Sequence, residues 1–432
     1  MILNKLQIKL LIALLACSAL TACGGGSSNG ATSLFPDDDP HPYDTSGDYA
    51  DVLVDCVILE DLQEHCSLDT LPLIGMETDS PTIDDIMSRV VISHQWMATR
   101  FEQALAELPP DILLLLRATT AIVIDADIRP AFYTTETGAI YLDPAYLWLT
   151  SDELATINPQ EDFRAGFDDP LKFRSLHRYV KNGSYVYPHG LLEENATKSV
   201  NDVVLLSGEL LYHELAHAND FLPPDTWDQL DRTDTVLEAI IANEANFVSG
   251  RLYTFDPLQS EILRSLGEVM YEGRDPNAQD LAITAEEVGE EFELDNANDH
   301  YAYANARPYS FEDSAMLFEE TMMKYHFGID RDIAFTAAPT DPRYCDGYTI
   351  GWGVRNRVGD TDVKARAQLV ASEILPSASA EMSLFFQDFP LPQLMTSGTN
   401  WCNSINMAAP SGNVLQKTRL QILPPRDLLK PH

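Results

Sequence analysis

The sequence predicts an α+β fold in which helices dominate and a few short strands contribute. Apolar residues recur at three- and four-residue steps in several long stretches, which is typical of amphipathic helices. Two short runs rich in Ile, Val and Tyr are bounded by turn residues, which is typical of strands. Of the 432 residues, 45% are hydrophobic and 22% are charged, a balance that favours a folded globular chain over general disorder.

The first 22 residues are predicted to be a targeting segment. Lys5 and Lys9 make its start positive, and Leu10–Ala16 is an apolar run too short to span a bilayer. The segment ends in Leu-Thr-Ala before Cys23, which resembles the lipobox of bacterial lipoproteins. The resemblance implies removal of residues 1–22, lipidation of Cys23 and attachment to the membrane of the cell envelope. The alternative is an ordinary secretory signal followed by a coincidental cysteine.

Residues 23–50 are predicted to form a flexible tether, because they are rich in Gly, Ser, Pro and Asp. Gly24 follows the predicted lipid-bearing cysteine directly. In enterobacterial lipoproteins an Asp at this position signals retention in the inner membrane, so the resemblance implies the outer membrane here.

The chain is strongly acidic, with 28 Lys and Arg against 67 Asp and Glu and a net charge of −39. Removal of residues 1–22 takes away two lysines and no acids, which makes the charge −41. Because a phosphate backbone would be repelled, the composition excludes a nucleic-acid binder.

Four cysteines remain beyond Cys23 in a chain predicted to be exported to an oxidising compartment. They allow three connectivities. The pairs Cys56–Cys66 and Cys345–Cys402 are favoured because they close the shortest loops.

The elements predicted beyond the tether are supported by apolar spacing, capping residues and prolines. They are, in chain order, a helix over Thr82–Leu108 capped by Thr82 with Asp85, strands over Ala121–Asp125 and Gly138–Leu142, and helices over Ser199–Asn219, Thr235–Tyr253, from the cap Asp256-Pro257 to about Tyr271, and Phe311–Tyr325. Asp152–Asn195 is predicted to be loop-rich. Asp275–His300 contains nine acids and is predicted to be a solvated excursion.

The chemically informative segment is His213-Glu214-Leu215-Ala216-His217, an H-E-x-x-H pattern inside the predicted helix Ser199–Asn219. Residues four apart lie on one helix face, so both imidazoles can reach one ion. Zinc accepts such ligands. Glu214 would lie beside the metal, where it can deprotonate a zinc-activated water and pass the proton to a leaving amine. The alternative is a helix whose polar residues bind nothing.

The run from His213 to Asp220 resembles the H-E-[FL]-G-H-A-x-D segment of anthrax lethal factor-like peptidases and related bacterial zinc peptidases, members of the zincins. In that family the third ligand is a Glu that opens an E-[FD]-x-A-E motif on a later helix. Glu312–Met316 matches four of these five positions and departs at Met316. Ala216 replaces the family's Gly, and the gap before Glu312 is longer, so the intervening segments resemble an insertion.

The third ligand has two candidates. Glu312 is preferred, whereas Glu244 stands in an Asn-Glu-Ala sequence that is similar to the third-ligand motif of thermolysin-like zincins. Tyrosines that precede Glu312 favour it, because a phenol near zinc can stabilise an oxyanion. Tyr303 and Tyr309 are the candidates for this role, although packing is the alternative for each.

Two acidic residues are candidates for supporting roles. Asp220 lies near the end of the H-E-x-x-H helix, where the helix dipole disfavours an anion, so a hydrogen bond that orients a ligand histidine would explain it. Glu319 lies seven residues after Glu312 on the same helix face. Gly138–Leu142 resembles the edge strand that zincins hold beside the metal.

The sequence therefore predicts a zinc metallopeptidase of the bacterial envelope that hydrolyses a peptide or protein substrate. The resemblance implies a zincin-like fold, mostly helical, with a small mixed β-sheet beside the H-E-x-x-H helix. Residues 51–345 are the predicted catalytic domain, and 346–432 are a segment packed on it. The alternatives are a non-enzymatic lipoprotein that uses this fold as a binding or scaffold module, and a zinc hydrolase acting on a non-peptide bond.

Overall fold

The computed structural model describes residues 39–58, 65–186, 198–305, 309–342 and 347–405, and it confirms the α+β composition. The helices are α1 (Ala50–Val57), α2 (Ile83–Met87), α3 (Gln95–Glu107), α4 (Asp111–Leu115), α5 (Ser151–Leu154), α6 (Val200–Phe221), α7 (Val236–Asn243), α8 (Val248–Phe255), α9 (Glu261–Glu272), α10 (Ala285–Leu294), α11 (Phe311–Phe327), α12 (Thr361–Ile374) and α13 (Ser379–Gln387). The strands are β1 (His41–Pro42), β2 (Val90–Ile92), β3 (Ile122–Ile124), β4 (Phe132–Tyr133), β5 (Ile140–Leu142), β6 (Phe173–Lys181), β7 (Ser184–Tyr185), β8 (Asp330–Ala337), β9 (Ile350–Arg355) and β10 (Gln393–Leu394).

The chain folds into two units that interleave along the sequence. The first contains the described residues up to Trp148, together with Asp152–Phe163 and Phe221–Phe247. The second contains Leu149–Ser151, Arg164–Asp220 and the chain from Val248 onward.

The first unit is built on a mixed five-stranded sheet with the order β1-β2-β3-β5-β4. The pairs β2–β3 and β3–β5 are parallel, whereas the outer pairs are antiparallel. Leu53 and Val57 of α1 pack on Val91, Val123 and Tyr141 of the sheet in one apolar core. The predicted strands Ala121–Asp125 and Gly138–Leu142 are confirmed as β3 and β5.

A disulfide joins Cys56 to Cys66 in this unit, which confirms the first predicted pair. Cys345 lies outside the described residues, so its pairing with Cys402 stays a prediction.

The second unit is built on an antiparallel five-stranded sheet with the order β10-β9-β8-β6-β7. It contains α6, up to Asp220, and α11, the two helices that carry the H-E-x-x-H pattern and Glu312. A 3₁₀ helix, His300–Tyr303, precedes α11. Its tyrosines belong to the same core as Phe292 and Met316. The mixed sheet belongs to the first unit, and its position beside the H-E-x-x-H helix stays a prediction.

The predicted helix over Thr82–Leu108 is wrong as a single element. The capping box between Thr82 and Asp85 is present and starts α2, but β2 follows before α3 begins. Val90, Val91 and Ile92 are all fully buried, and β-branched side chains favour a strand that has neighbours on both sides. Their apolar spacing fits a helix equally well, and this is the source of the error.

Two further helix predictions need correction. The predicted helix Thr235–Tyr253 is divided into α7 and α8 by a 3₁₀ helix, Glu244–Asn246. The helix expected after Asp256-Pro257 starts later, because Ser260 caps α9 by accepting from the backbone N–H of Leu263.

The acidic stretch Asp275–His300 is not a solvated excursion. It contains α10, which buries Val288 and Phe292, and it ends in the fully buried Asp299. A capping box between Thr284 and Glu287 starts the helix. The acids on the outer helix face stay exposed, so the composition hid an amphipathic pattern.

The strand Gly138–Leu142 is not an edge strand, because β5 has β3 and β4 as neighbours. The loop-rich prediction for Asp152–Asn195 missed β6. The helices predicted over Ser199–Asn219 and Phe311–Tyr325 are confirmed as α6 and α11.

The targeting segment, Cys23 and most of the tether lie outside the described residues. Within the described ranges, no helix is both long and apolar enough to cross a membrane. The described part of the predicted C-terminal segment 346–432 supplies β9, β10, α12 and α13 to the second unit, and β9 pairs with β8.

Candidate metal centre

The two histidines of the H-E-x-x-H pattern lie in the second half of α6, where residues 206–221 are all buried. Ser199 and Asp202 exchange hydrogen bonds at its start, as in a capping box. His213 and His217 are 1% and 8% exposed. Their ring centroids are 5.1 Å apart and the rings are nearly perpendicular, so both Nε2 atoms turn towards one point.

Glu312 meets these rings from the first turn of α11. Its Oε2 atom is 3.1 Å from Nε2 of His213 and 3.4 Å from Nε2 of His217. The potential ligand atoms of the three residues lie within 4.8 Å of one another, so this group can hold a metal ion. Ser310 fixes the start of α11 by accepting from the N–H of Asp313.

The structure favours Glu312 over Glu244 as the third ligand. Glu244 belongs to the 3₁₀ helix Glu244–Asn246 and is not part of the group whose potential ligand atoms converge. Among the described residues, His213, His217 and Glu312 are the group with metal-binding geometry.

The pKa values of His213 and Glu312 reflect the charges that surround them at this centre. Burial alone would lower the pKa of His213, but hydrogen bonds to Glu312 and Glu319 and the charge of Glu214 place it well above its usual range. Burial would raise the pKa of Glu312, but the charges and hydrogen bonds of the two histidines lower it to about 2. The carboxylates around His213 thus stabilise positive charge at this centre.

The hydrogen bond on the far side of His213 is compatible with a metal ligand at Nε2. Nδ1 of His213 is 3.1 Å from Oε2 of Glu319, which as a carboxylate only accepts, so Nδ1 carries a proton. A ring protonated on Nδ1 alone would turn the lone pair of Nε2 towards Glu312, and a cation between these two atoms would satisfy both. Two imidazole nitrogens with one carboxylate oxygen suit zinc.

Glu319 therefore has the supporting position predicted for it. Its Oε1 atom accepts hydrogen bonds from the hydroxyl of Tyr179 at 2.6 Å and from Nη1 of Arg331 at 2.8 Å. No local pattern in the sequence linked these two residues of β6 and β8 to the site. Their role depends on the long-range pairing of the strands.

Asp220 is fully buried and not a surface acid. Its carboxylate accepts from the backbone N–H of Ser249 at 2.8 Å and from the hydroxyl of Ser314 at 3.4 Å. Burial raises its pKa, while the Ser249 bonds and the charge of His217 act in the opposite direction. Asp220 thus ties the end of α6 to α8 and α11, with its charge within reach of His217.

Glu214 is 2% exposed and adjoins His213, whose pKa it helps to raise. A carboxylate held beside the ligands in a dry site is a suitable proton acceptor.

The tyrosines are arranged differently from the prediction. The hydroxyl of Tyr303 donates to Asp295 at 2.8 Å, and the ring of Tyr309 packs between those of Tyr253 and Phe311. Tyr301 is the one whose ring lies beside His213, with 6.1 Å between the centroids.

Tyr301 is 5% exposed, and its phenol oxygen accepts a hydrogen bond from Nη1 of Arg164 at 3.0 Å. The sequence showed a group of tyrosines before Glu312. It did not show which of them lies beside His213, because that depends on the 3₁₀ helix.

No protein-family model matches this chain, and no curated protein or solved structure is significantly similar to it. The site must therefore be interpreted from its own geometry.

Proposed function

We propose that this protein is a zinc-dependent metallopeptidase, held in the bacterial envelope by a lipid on Cys23 and facing its substrate at the outer membrane. The observation that supports it most is the convergence of His213, His217 and Glu312. Glu214 is buried and follows His213 in the sequence. The short lipobox-like sequence supports the location. The antiparallel sheet and the two site helices are compatible with a zincin-like fold.

Zinc bound at this centre would polarise the scissile carbonyl and lower the pKa of water. Glu214 accepts a proton from the attacking water and delivers it to the leaving nitrogen, so one carboxylate serves both steps. The burial of Glu214 and both ligand histidines excludes competing water and strengthens these electrostatic interactions.

Tyr301 takes the role that the sequence gave to Tyr303 or Tyr309. The Arg164 guanidinium donates to its phenol oxygen, which makes the phenol a stronger hydrogen-bond donor towards a developing oxyanion. The 6.1 Å between the ring centroids of Tyr301 and His213 supports this role.

The test measures bound zinc and peptide cleavage in protein lacking residues 1–23. We expect about one equivalent of zinc after mild purification, and less than about half would contradict the proposal. Glu312→Ala should lose the metal, whereas Glu244→Ala should retain it.

Catalysis is tested by Glu214→Gln against a broad peptide library. The variant should keep its zinc and lose cleavage by roughly 10²- to 10⁴-fold, since only the proton acceptor is removed. Retained cleavage would exclude Glu214 from the mechanism. Bound zinc with no cleavage by the unaltered protein would favour a binding or scaffold module instead.

A further inference from the structure

We propose that Arg331 is a positioning residue that fixes the metal ligand His213 and the phenol of Tyr301 together, through two buried carboxylates. The proposal rests on the metal centre proposed above and extends it. Arg331 lies on β8. Its guanidinium contacts Glu319 and Asp299 rather than the two histidines, and it acts through these two carboxylates.

The guanidinium of Arg331 joins two acids from different segments. Its Nη1 donates to Glu319 at 2.8 Å, and its Nε donates to Oδ2 of Asp299 at 3.0 Å. Nη2 is 2.9 Å from the same Asp299 oxygen. All three side chains are buried, so their charges interact in a poorly screened environment.

The first branch leads to the metal ligand. Oε1 of Glu319 is held by Arg331 and by the hydroxyl of Tyr179, which leaves Oε2 facing Nδ1 of His213 at 3.1 Å. Because both carboxylate oxygens of Glu319 have hydrogen-bond partners, its side chain cannot rotate away without breaking a buried charged hydrogen bond. The ring of His213 is thereby held in the orientation that presents Nε2.

The second branch leads to the phenol. Oδ1 of Asp299 accepts from the backbone N–H of Tyr301 at 2.9 Å and so caps the 3₁₀ helix. Burial would raise the pKa of Asp299, but Arg331 foremost, with His300 and His177, holds it well below its usual range. The anion that sets the start of this helix is thus stabilised by the same guanidinium that holds Glu319.

Arginine suits this role because its planar fork donates to two acids in fixed directions, which lysine cannot reproduce. A purely structural ion pair is available for comparison in the same sheet. Arg355 of β9 is buried and pairs with Asp332, which Arg178 also contacts. Among the described residues, none of these three contacts the three candidate metal ligands. Arg355 is therefore a matched control.

The experiment compares Arg331→Lys, Arg331→Met and Arg355→Met in the full mature chain. The readouts are the zinc dissociation constant from chelator competition and the NMR signal of the Nδ1 proton of His213 in metal-free protein. We expect Arg331→Met to weaken zinc binding by roughly 10- to 100-fold, and Arg331→Lys by less. Arg355→Met should lower thermal stability while zinc affinity stays within about two-fold of that of the unaltered protein.

Combining Arg331→Lys with Glu319→Gln separates a positioning role from general damage. If Arg331 acts through Glu319, the double variant should bind zinc about as weakly as Glu319→Gln alone. If the losses of zinc affinity in the two single variants add up in the double variant, Arg331 does not act through Glu319. If Arg331→Met does not fold, unchanged zinc affinity and an unchanged His213 signal in Arg331→Lys would overturn the proposal.

Failure of the proposed function gives a different result. If the unaltered protein binds no zinc, the metallopeptidase proposal fails, and the His213 signal alone then decides the positioning role. A signal displaced by Arg331→Lys but not by Arg355→Met would support positioning. Equal signals in both would overturn it.

Discussion

Glu320 is a buried carboxyl group whose surroundings favour its neutral form. Its Oε2 atom accepts a hydrogen bond from Nδ2 of Asn298 at 2.9 Å. Within the described part of the chain, Oε1 of Glu320 and Oδ1 of Asn298 are buried atoms without a hydrogen-bond partner. Burial raises the pKa of Glu320 to about 8, although Asn298 and Arg331 act in the opposite direction. A protonated Oε1 that donates to Oδ1 of Asn298 would satisfy both atoms.

The variant Glu320→Gln should remove a pH-dependent loss of stability. The ordinary Glu pKa is 4.5, whereas the folded protein holds this proton until about pH 8. The neutral group contributes its full share of the free energy of unfolding below pH 4.5. This contribution falls by about 1.4 kcal/mol per pH unit as the pH rises from there to about 8. An amide cannot ionise, so chemical denaturation from pH 5 to 8.5 should show a flatter profile for the variant.

The exposed Glu290 provides the control for this measurement. Glu290→Gln should give a profile parallel to that of the unaltered protein. If Glu320→Gln gives a parallel profile too, Glu320 is ionised in the folded state and the neutral pair with Asn298 is wrong.

Single residues were predictable where their chemistry is encoded along one helix. His213, Glu214 and His217 follow from spacing on α6, and Glu312 from its motif. The positions of Arg331 and Tyr301 were not predictable, because strand pairing and the capped 3₁₀ helix bring them near His213. The structure brings the three candidate ligands together, and it places Tyr301 beside His213 while Tyr303 contacts Asp295.

The contact between α10 and β9 shows how one small residue sets the position of an element. Gly289 faces Trp352, and a Cβ atom on this glycine would lie 2.0 Å from Cβ of Trp352. The side chain of Trp352 packs on Phe292 one turn further along α10. Glycine is therefore needed for close approach of helix and strand, although it is a weak helix former.

The variant Gly289→Ala should destabilise the protein although alanine is the better helix former. An exposed helical glycine gains about 1 kcal/mol on this change, but here the new methyl group would overlap a strand residue that cannot move alone. We expect the free energy of unfolding to fall by about 1–3 kcal/mol or more in urea denaturation. Glu290→Ala, on the exposed face of the same helix, should change it by less than about 0.5 kcal/mol. A stabilised Gly289→Ala protein would show that α10 does not pack tightly on β9.

Elements with their own local signals were predicted well. The helix α6 has a polar cap and a following pair of prolines, and it was predicted within a few residues. The strand β6 pairs with β8, which lies about 150 residues further along the chain, and it was missed. Its sequence Phe-Arg-Ser-Leu-His-Arg-Tyr carries several polar residues. Arg174, His177 and Arg178 are buried and give no simple polar–apolar alternation. Tertiary contacts rather than local preference therefore make this segment a strand.

The disulfide and the candidate metal centre belong to different units of the molecule. Cys56 and Cys66 are in the first unit, whereas all three candidate ligands, Glu319 and Arg331 are in the second. The sequence showed neither unit, because the chain passes between them several times. The chain is strongly acidic, yet Glu312, Glu319 and Asp299 lie beside histidine or arginine side chains.

Removing the disulfide should therefore weaken one unit and spare the chemistry of the other. The bond closes a loop between cysteines ten residues apart, and losing such a restraint on the unfolded chain costs roughly 3 kcal/mol. In the double variant Cys56→Ser with Cys66→Ser, hydrogen exchange of α1, β2 and β3 should become faster. Exchange of α6 and α11 should stay near its original rate, and the zinc dissociation constant should change by less than about three-fold. Loss of zinc affinity together with faster exchange in α6 would show that the two units unfold as one, and the metal centre would then depend on a covalent bond far from it in sequence.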